Sequence, residues 1–151
     1  MSIFPTKILL ATDGSEEATL AAPTAVDIAD KTNSELHVVY VGEEYGYPIY
    51  AVPEYEYART IQENLEQEVR KLLDAEVEQV KAAGGTVVGA HFGMGRPDEE
   101  IVKLAEEIGA GLIVMGSRGR GGVRRSLMGS VSDSVVRHAH CPVMVVREEK
   151  G

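Results

Sequence analysis

The sequence has a single cysteine, Cys141, among its 151 residues. A lone thiol forms no disulfide within the chain and cannot build a multi-cysteine zinc site, so redox and structural-zinc functions are disfavoured. Long hydrophobic runs are also missing, because each spans only a few residues whereas crossing a bilayer takes roughly 20. Met1–Lys7 lacks the apolar region of a signal peptide. We therefore expect a cytoplasmic protein with no membrane partner.

Positive charge is scarce. Lysine and arginine total 15 against 24 aspartate and glutamate residues, which gives a formal net charge of −9. Because binding to nucleic acid or to an anionic membrane needs clustered Lys and Arg, we expect no nucleic-acid partner. Any site for an anion must be a local exception to the overall charge.

The apolar content is sufficient for one core, since 44% of the residues are hydrophobic and the length is usual for one domain. We expect a single domain over residues 1–151. Five short runs rich in Val, Ile and Leu, without clean alternation, are typical of strands covered on both faces of a parallel sheet. They are Lys7–Thr12, Leu36–Val41, Thr86–His91, Leu112–Met115 and Pro142–Val146.

Segments with helical spacing lie between these runs. The first helix follows Ser15, the second runs from about Tyr55 to Ala83, the third begins at Pro97 and stops at Gly109, and the fourth covers about Ser130–His138. Strand and helix alternate throughout, which predicts right-handed crossovers and a doubly wound (Rossmann-like) α/β fold with a five-stranded parallel sheet and helices on both faces. In both common strand orders of such folds, ligands bind beside the first strand, where the winding reverses.

The segment Gly116–Ser132 is unlike the rest of the chain. It holds four arginines and five glycines, and no acid occurs before Asp133. Glycine lets the backbone approach an anion and direct N–H groups at it, and the start of the following helix adds the positive end of a dipole. The hydroxyls of Ser130 and Ser132 can donate to phosphate oxygens. The sequence therefore predicts a phosphate-binding loop, against the alternative of a solvated strand-to-helix connection.

Two better-known phosphate patterns are absent from this segment. It contains no lysine, which excludes G-x-x-x-x-G-K-[ST], and neither Gly119-Arg120-Gly121 nor Gly93-Met94-Gly95 continues as G-x-G-x-x-G. P-loop NTPase and Rossmann dinucleotide functions are therefore not indicated.

The glycine spacing instead resembles a known signature. Gly116-x-x-Gly119, followed after nine intervening residues by Gly129-Ser130, is similar to the G-2x-G-9x-G-[ST] pattern of nucleotide-binding universal stress proteins. The opening run Leu10–Ser15 and the closing run Cys141–Val146 also resemble that family, so the resemblance covers essentially the whole chain. It implies the strand order 3-2-1-4-5 and ATP, or ADP or AMP, as the ligand.

The resemblance also implies a set of site residues. Asp13 and the backbone near Thr12 would contact the ribose side, and Val41 would meet adenine. A carboxylate repels phosphate unless a divalent cation lies between them, so Mg²⁺ or Mn²⁺ is the expected companion of the nucleotide near Asp13. The phosphate path would be lined by Met115, Gly116, Arg118, Gly119, Gly129, Ser130, Val131 and Ser132.

The histidines are interpreted as structural. His138, His140 and Cys141 form a potential metal-ligand set, but His138 is better explained by the negative end of the fourth helix. His37 and His91 fall within or at the end of predicted strands.

Three functions remain open from the sequence. The first is an ATP-binding universal stress protein that acts as a regulatory module for an unidentified protein partner, dimeric through the edge strand Pro142–Val146 as in relatives. The second is a slow ATPase or nucleotidyl-transfer enzyme that uses the same pocket, although no catalytic base or nucleophile is evident. The third is a nucleotide-free interaction module.

Overall fold

Nine elements of secondary structure alternate along the described parts of the chain. The computed structural model describes residues 3–12, 16–42, 55–117 and 129–147. In chain order the elements are β1 (Lys7–Thr12), α1 (Glu16–Thr32), β2 (Glu35–Gly42), α2 (Tyr55–Ala82), β3 (Val87–Met94), α3 (Pro97–Ile108), β4 (Leu112–Gly116), α4 (Ser130–His138) and β5 (Val143–Val146).

The five strands form one parallel sheet in the order β3-β2-β1-β4-β5. The predicted doubly wound α/β fold and its 3-2-1-4-5 order are therefore confirmed. The chain winds outward from β1 in one direction through β2 and β3, and in the other through β4 and β5. The reversal of winding falls between β1 and β4.

Each face of the sheet is covered by two helices. Buried alanines of α1 and the apolar stripe of α2 pack on one face, with Val69, Leu73 and Val80 at most 6% exposed. Ile101 and Ala105 of α3 and Val135 of α4 pack on the other face. Within the described ranges, no helix is both long enough and apolar enough to cross a membrane.

The sequence predicts strands that are buried on both faces. β1, β2 and β4 are buried in this way, but the two edge strands, β3 and β5, are not. β3 is only half-buried along most of its length, and it ends at Met94, three residues later than the run Thr86–His91 suggested. Its last residues still pair with β2, since Val41 lies opposite Gly93 and Gly42 opposite Met94. β5 begins at Val143 rather than Pro142 and is also half-exposed.

Glycine and proline limit the helices as the sequence predicted. Pro97 stands at the start of α3, where its missing N–H costs no hydrogen bond. Gly109 ends the same helix with φ 71°, and Gly84 follows α2 with φ 93°. Both conformations are left-handed and favour glycine.

His37 of β2 and His91 of β3 hydrogen-bond to each other. Nδ1 of His37 lies 3.2 Å from Nε2 of His91, and the nearly parallel rings have centroids 5.5 Å apart. The distance between the centroids equals the nitrogen–nitrogen distance plus the radius of each ring. The two nitrogens therefore lie on the line between the centroids, and the rings meet edge to edge through an in-plane hydrogen bond. Gly89 makes room for it, because a Cβ there would lie 3.0 Å from Nε2 of His91. The interpretation of these histidines as structural fits this geometry.

We predict that the histidine pair makes the fold less stable in acid. Burial, and then the neighbouring His37, lower the pKa of His91 below its ordinary value of 6.5. The unfolded chain then takes up a proton at this residue more readily than the folded protein, so the contribution of His91 to the free energy of unfolding is constant above about pH 6.5 and decreases as the pH falls below it. Urea unfolding at a series of pH values should show a smaller decrease for His91→Gln than for the wild type. His140→Gln, at an exposed position, is the control and should keep the wild-type slope; equal slopes in all three proteins would contradict the prediction.

Candidate functional site

The carboxyl ends of β1 and β4 lie side by side. The two strands are parallel, with Leu10 opposite Val114, and each ends two residues later, at Thr12 and at Gly116. Because the helices that follow these strands cover opposite faces of the sheet, a crevice opens at their ends. Thr12 is 7% exposed at the start of this crevice.

An apolar wall lies below the crevice on the side of α3 and α4. Val41, at the end of β2, and Met115, near the end of β4, are 6% and 5% exposed and belong to one buried cluster with Ala11. These side chains belong to the core. The surface that they offer to a ligand is limited to the rim of the sheet.

Ser117, the residue after β4, joins three parts of the protein through its backbone. Its N–H donates to the Val146 carbonyl of β5 at 2.9 Å. Its carbonyl accepts the N–H of Gly129 at 2.6 Å and the hydroxyl of Ser132 at 2.6 Å. We call the two hydrogen bonds to this carbonyl the Ser117 clasp. The clasp holds the start of α4 against the end of β4.

The first turn of α4 faces the crevice with backbone donors. Gly129 is the N-cap residue, with φ −65° and ψ 160°, and glycine has no side-chain oxygen to accept the first N–H groups of the helix. Those groups lack acceptors within the helix, and with the dipole they favour an anion. Ser130 is exposed, Val131 is half-buried and Ser132 is buried.

Helix α4 is fixed to α3 by packing and by one polar contact. Val135 is fully buried, and the Ser134 hydroxyl donates to Oδ2 of Asp98 at 2.7 Å. Burial acts to raise the pKa of Asp98, but the hydrogen bond from Ser134, backbone N–H groups and Arg96 outweigh it and leave this pKa lowered. The carboxylate thus stays ionised at neutral pH and holds the middle of α4 against α3.

The predicted site residues divide into two groups. Thr12, Val41, Met115, Gly116, Gly129, Ser130, Val131 and Ser132 lie within the described residues, at the ends of β1, β2 and β4 and at the start of α4. Asp13, Arg118 and Gly119 lie outside the described residues. The two ends of the glycine signature, Gly116 and Gly129-Ser130, meet at the Ser117 clasp.

Two contributors were missing from the sequence prediction. Ser117 acts through its backbone, which no side-chain pattern reveals. Asp98 acts from another helix, and its partner Ser134 lies 36 residues away. A signal for Asp98 exists only as an acid in the first turn of α3, where it also suits the helix dipole.

The potential metal-ligand set near the end of α4 shows other partners. Nδ1 of His138 lies 2.8 Å from the Ser134 backbone oxygen, to which it can donate, at the negative end of the helix as predicted. Burial raises the pKa of the Cys141 thiol, which disfavours the thiolate that a metal would need. Among the residues that the structure describes, no three His, Cys, Asp or Glu side chains cluster as metal ligands.

Comparison with known proteins gives consistent matches. The model of the universal stress protein family matches residues 5–147. The universal stress protein MJ0531 of Methanocaldococcus jannaschii is 36% identical over 144 residues, which cover 95% of this chain and 83% of that protein.

Solved structures agree in fold. The universal stress protein UspA from Lactobacillus plantarum superposes with a TM-score of 0.80 at 28% identity, covering 95% of this chain and 99% of that one. A universal stress protein crystallised in complex with cAMP has a TM-score of 0.66 at 27% identity, covering 94% and 96% of the two chains. With a family match across nearly its whole length and a relative above one-third identity, this chain belongs to the universal stress protein family.

Proposed function

We propose that this chain binds ATP, with ADP or AMP as alternatives, at the carboxyl edge of the sheet between β1 and β4. One observation carries the proposal: the ends of the glycine signature, Gly116 and Gly129-Ser130, meet where the winding reverses. The first turn of α4 directs N–H groups at this point, as anion sites at helix starts do. The cAMP complex of a related universal stress protein supports a nucleotide as the ligand.

The nucleotide would lie across the strand ends. Its base would contact the rim at Val41, its ribose would lie near Thr12 and Asp13, and its phosphates would follow Met115, Gly116, Arg118 and Gly119. The start of α4, from Gly129 to Ser132, would complete the phosphate path. This arrangement uses the crevice that doubly wound folds form at a reversal of winding.

A divalent cation fits the charge at this site. Asp13 follows Thr12 directly, and its carboxylate would repel phosphates unless Mg²⁺ or Mn²⁺ lay between them. The cation would supply charge neutralisation, while the amides of α4 and Arg118 supply donors to the phosphate oxygens.

We further propose that binding serves regulation rather than catalysis. Phosphoryl transfer needs a positioned base or nucleophile besides the phosphate donors. Among the described residues at the ends of β1 and β4 and in the first turn of α4, the polar side chains are Thr12, serines and Asp133. The Ser132 hydroxyl is already engaged by Ser117, and the Asp133 carboxylate pairs with Arg137. Nucleotide occupancy would then change a surface that a partner protein reads, on a single cytoplasmic domain formed by residues 1–151.

The proposed module is a homodimer joined along β5 and the preceding Pro142. β5 is an edge strand, paired only with β4 in the described sheet, and edge strands are usually covered. Met144 of β5 is 38% exposed and Val136 of α4 is 44% exposed. Apolar side chains at an open edge suit contact with a second copy.

The glycine positions give the first test of nucleotide binding. Gly129 has an extended backbone that any residue adopts, so substitution there strains no backbone angle. The residue is buried where the start of α4 meets the end of β4, so the size of the new side chain matters. Gly129→Val and Gly119→Val should each weaken ATP binding at least about tenfold, or ~1.4 kcal/mol, in titration calorimetry. Gly129→Ala should have a smaller effect on ATP binding. Thermal unfolding of each variant separates an obstructed phosphate path from a destabilised fold.

The same experiment separates the alternative functions. Purified protein that releases no nucleotide and gives no heat with ATP, ADP, AMP or cAMP would favour the nucleotide-free interaction module. Release of phosphate above background that Asp13→Ala abolishes would favour the enzyme. Unchanged ATP affinity in both valine variants would contradict the loop assignment.

The cation proposal predicts opposite effects of one substitution. Asp13→Asn removes the charge that a cation bridges, so it should weaken ATP binding in the presence of Mg²⁺. In EDTA it should leave ATP binding as tight as in the wild type or tighten it, because the repulsion between carboxylate and phosphate is gone. Calorimetry in both buffers gives the ratio of the ATP affinity with Mg²⁺ to the ATP affinity in EDTA, for the variant and for the wild type. A ratio equal to the wild-type value would refute a role for Asp13 beside the metal.

The dimer proposal predicts that a charge on β5 separates the subunits. In a two-fold contact the same surface meets itself, so Met144→Asp would set two like charges close together. We expect the dimer dissociation constant to rise at least about tenfold, or ~1.4 kcal/mol, in analytical ultracentrifugation. Val88→Asp is the matched control, because Val88 is 56% exposed on β3 at the opposite edge. A dimer that survives Met144→Asp but not Val88→Asp would assign the interface to β3.

A further inference from the structure

Two serines at the start of α4 have opposite surroundings. Ser130 and Ser132 are two residues apart, which on an α-helix is a rotation of about 200°, so their side chains point to opposite sides. Ser130 is exposed, whereas Ser132 is 2% exposed. The same residue type therefore meets the solvent at one position and the protein interior at the other.

The hydroxyl of Ser132 is committed to the protein. A serine hydroxyl carries one proton. The nearest acceptor of the Ser132 hydroxyl is the Ser117 carbonyl, at 2.6 Å. The Gly129 carbonyl lies 3.1 Å away, at the position of a local contact within the first turn. To donate to a phosphate, this hydroxyl would have to leave a buried carbonyl with one hydrogen bond fewer, which is unfavourable.

The acceptor of this bond is itself tightly fixed. Ser117 is 4% exposed, and its N–H donates to Val146 of β5. Its carbonyl has two lone pairs, and the two members of the Ser117 clasp match them. The clasp therefore ties the start of α4 to two strands of the sheet, across segment 118–128, without any contribution from a ligand.

We propose that Ser132 is a positioning residue of the nucleotide site and that its hydroxyl is not a phosphate ligand. Through the Ser117 clasp it sets the location of Gly129 and of the first-turn N–H groups of α4, and its own backbone N–H belongs to that set. Ser130 is the serine whose hydroxyl donates to phosphate. The positioning role rests on the proposed nucleotide function, whereas the hydrogen bonds of the clasp exist in the free protein.

The test combines amide hydrogen exchange of the nucleotide-free protein, read at Gly129 by NMR, with ATP titration calorimetry. Ser132→Ala should make the Gly129 amide exchange about tenfold faster and should weaken ATP binding. A factor of about ten is at the upper end of what the loss of one hydrogen bond produces. Ser132→Thr keeps the hydroxyl and should restore both quantities. Ser130→Ala should weaken ATP binding and leave the Gly129 exchange rate at the wild-type value.

Ser134→Ala is the matched control for general loosening of α4. It removes the hydrogen bond to Asp98 on α3 and should leave Gly129 exchange unchanged. A Ser132→Ala protein that binds ATP weakly but exchanges Gly129 at the wild-type rate would overturn the proposal in favour of a direct ligand. Unchanged ATP affinity despite fast exchange would overturn the positioning role.

Failure of the proposed function would look different. In that case the wild type itself would give no heat with ATP, while the exchange measurements would still decide whether Ser132 holds the clasp. If Ser132→Ala does not fold, Ser132→Thr and Ser132→Cys provide the comparison, because cysteine has similar shape but is a weak donor. Equal Gly129 exchange rates in these two variants would contradict the proposal that the Ser132 hydroxyl holds the clasp.

Discussion

The pairing of β1 with β4 determines where everything else in this protein lies. Ile8, Leu9 and Leu10 are fully buried and run beside Leu112, Ile113 and Val114, so the centre of the sheet is sealed on both faces. Because the chain winds in opposite directions from this pair, its helices leave the carboxyl edge on opposite faces. The crevice that results does not depend on the identity of the residues that line it. A different pairing of β1 would separate Thr12 from Gly116 and remove the crevice between them.

The sequence predicted the interior of the fold better than its edges, for a physical reason. A strand covered on both faces, such as β1 or β4, is an unbroken apolar run that can be recognised locally. β3 is an edge strand in which Gly89 and Gly93 alternate with larger residues, and glycine by itself indicates a turn. Its last three residues belong to the sheet because they pair with β2, and that contact between distant parts of the chain leaves no local pattern.

The candidate site shows the same division. The spacing of Gly116 and Gly129 is a local property, and the prediction of an anion site rests on it. The difference between Ser130 and Ser132 was not predictable, because composition and spacing treat them alike. It follows from how α4 docks, with Val135 in the core and Ser134 on Asp98. Ser117 escaped the sequence prediction altogether, since its contribution is a backbone carbonyl that every residue type possesses.

The overall charge explains why backbone geometry matters so much here. At a net charge of −9 the protein repels nucleotides at long range, so an anion site has to depend on short-range donors and on the local arginines of Gly116–Ser132. Hydrogen bonds from N–H groups act only within about 3 Å and only when well aligned. Asp133, the acid in the first turn of α4, pairs with Arg137 at 3.1 Å, which reduces its repulsion of an anion there. Under the proposed function, the Ser117 clasp therefore serves to place the few amides that so acidic a protein needs, with the local arginines, to bind a phosphate.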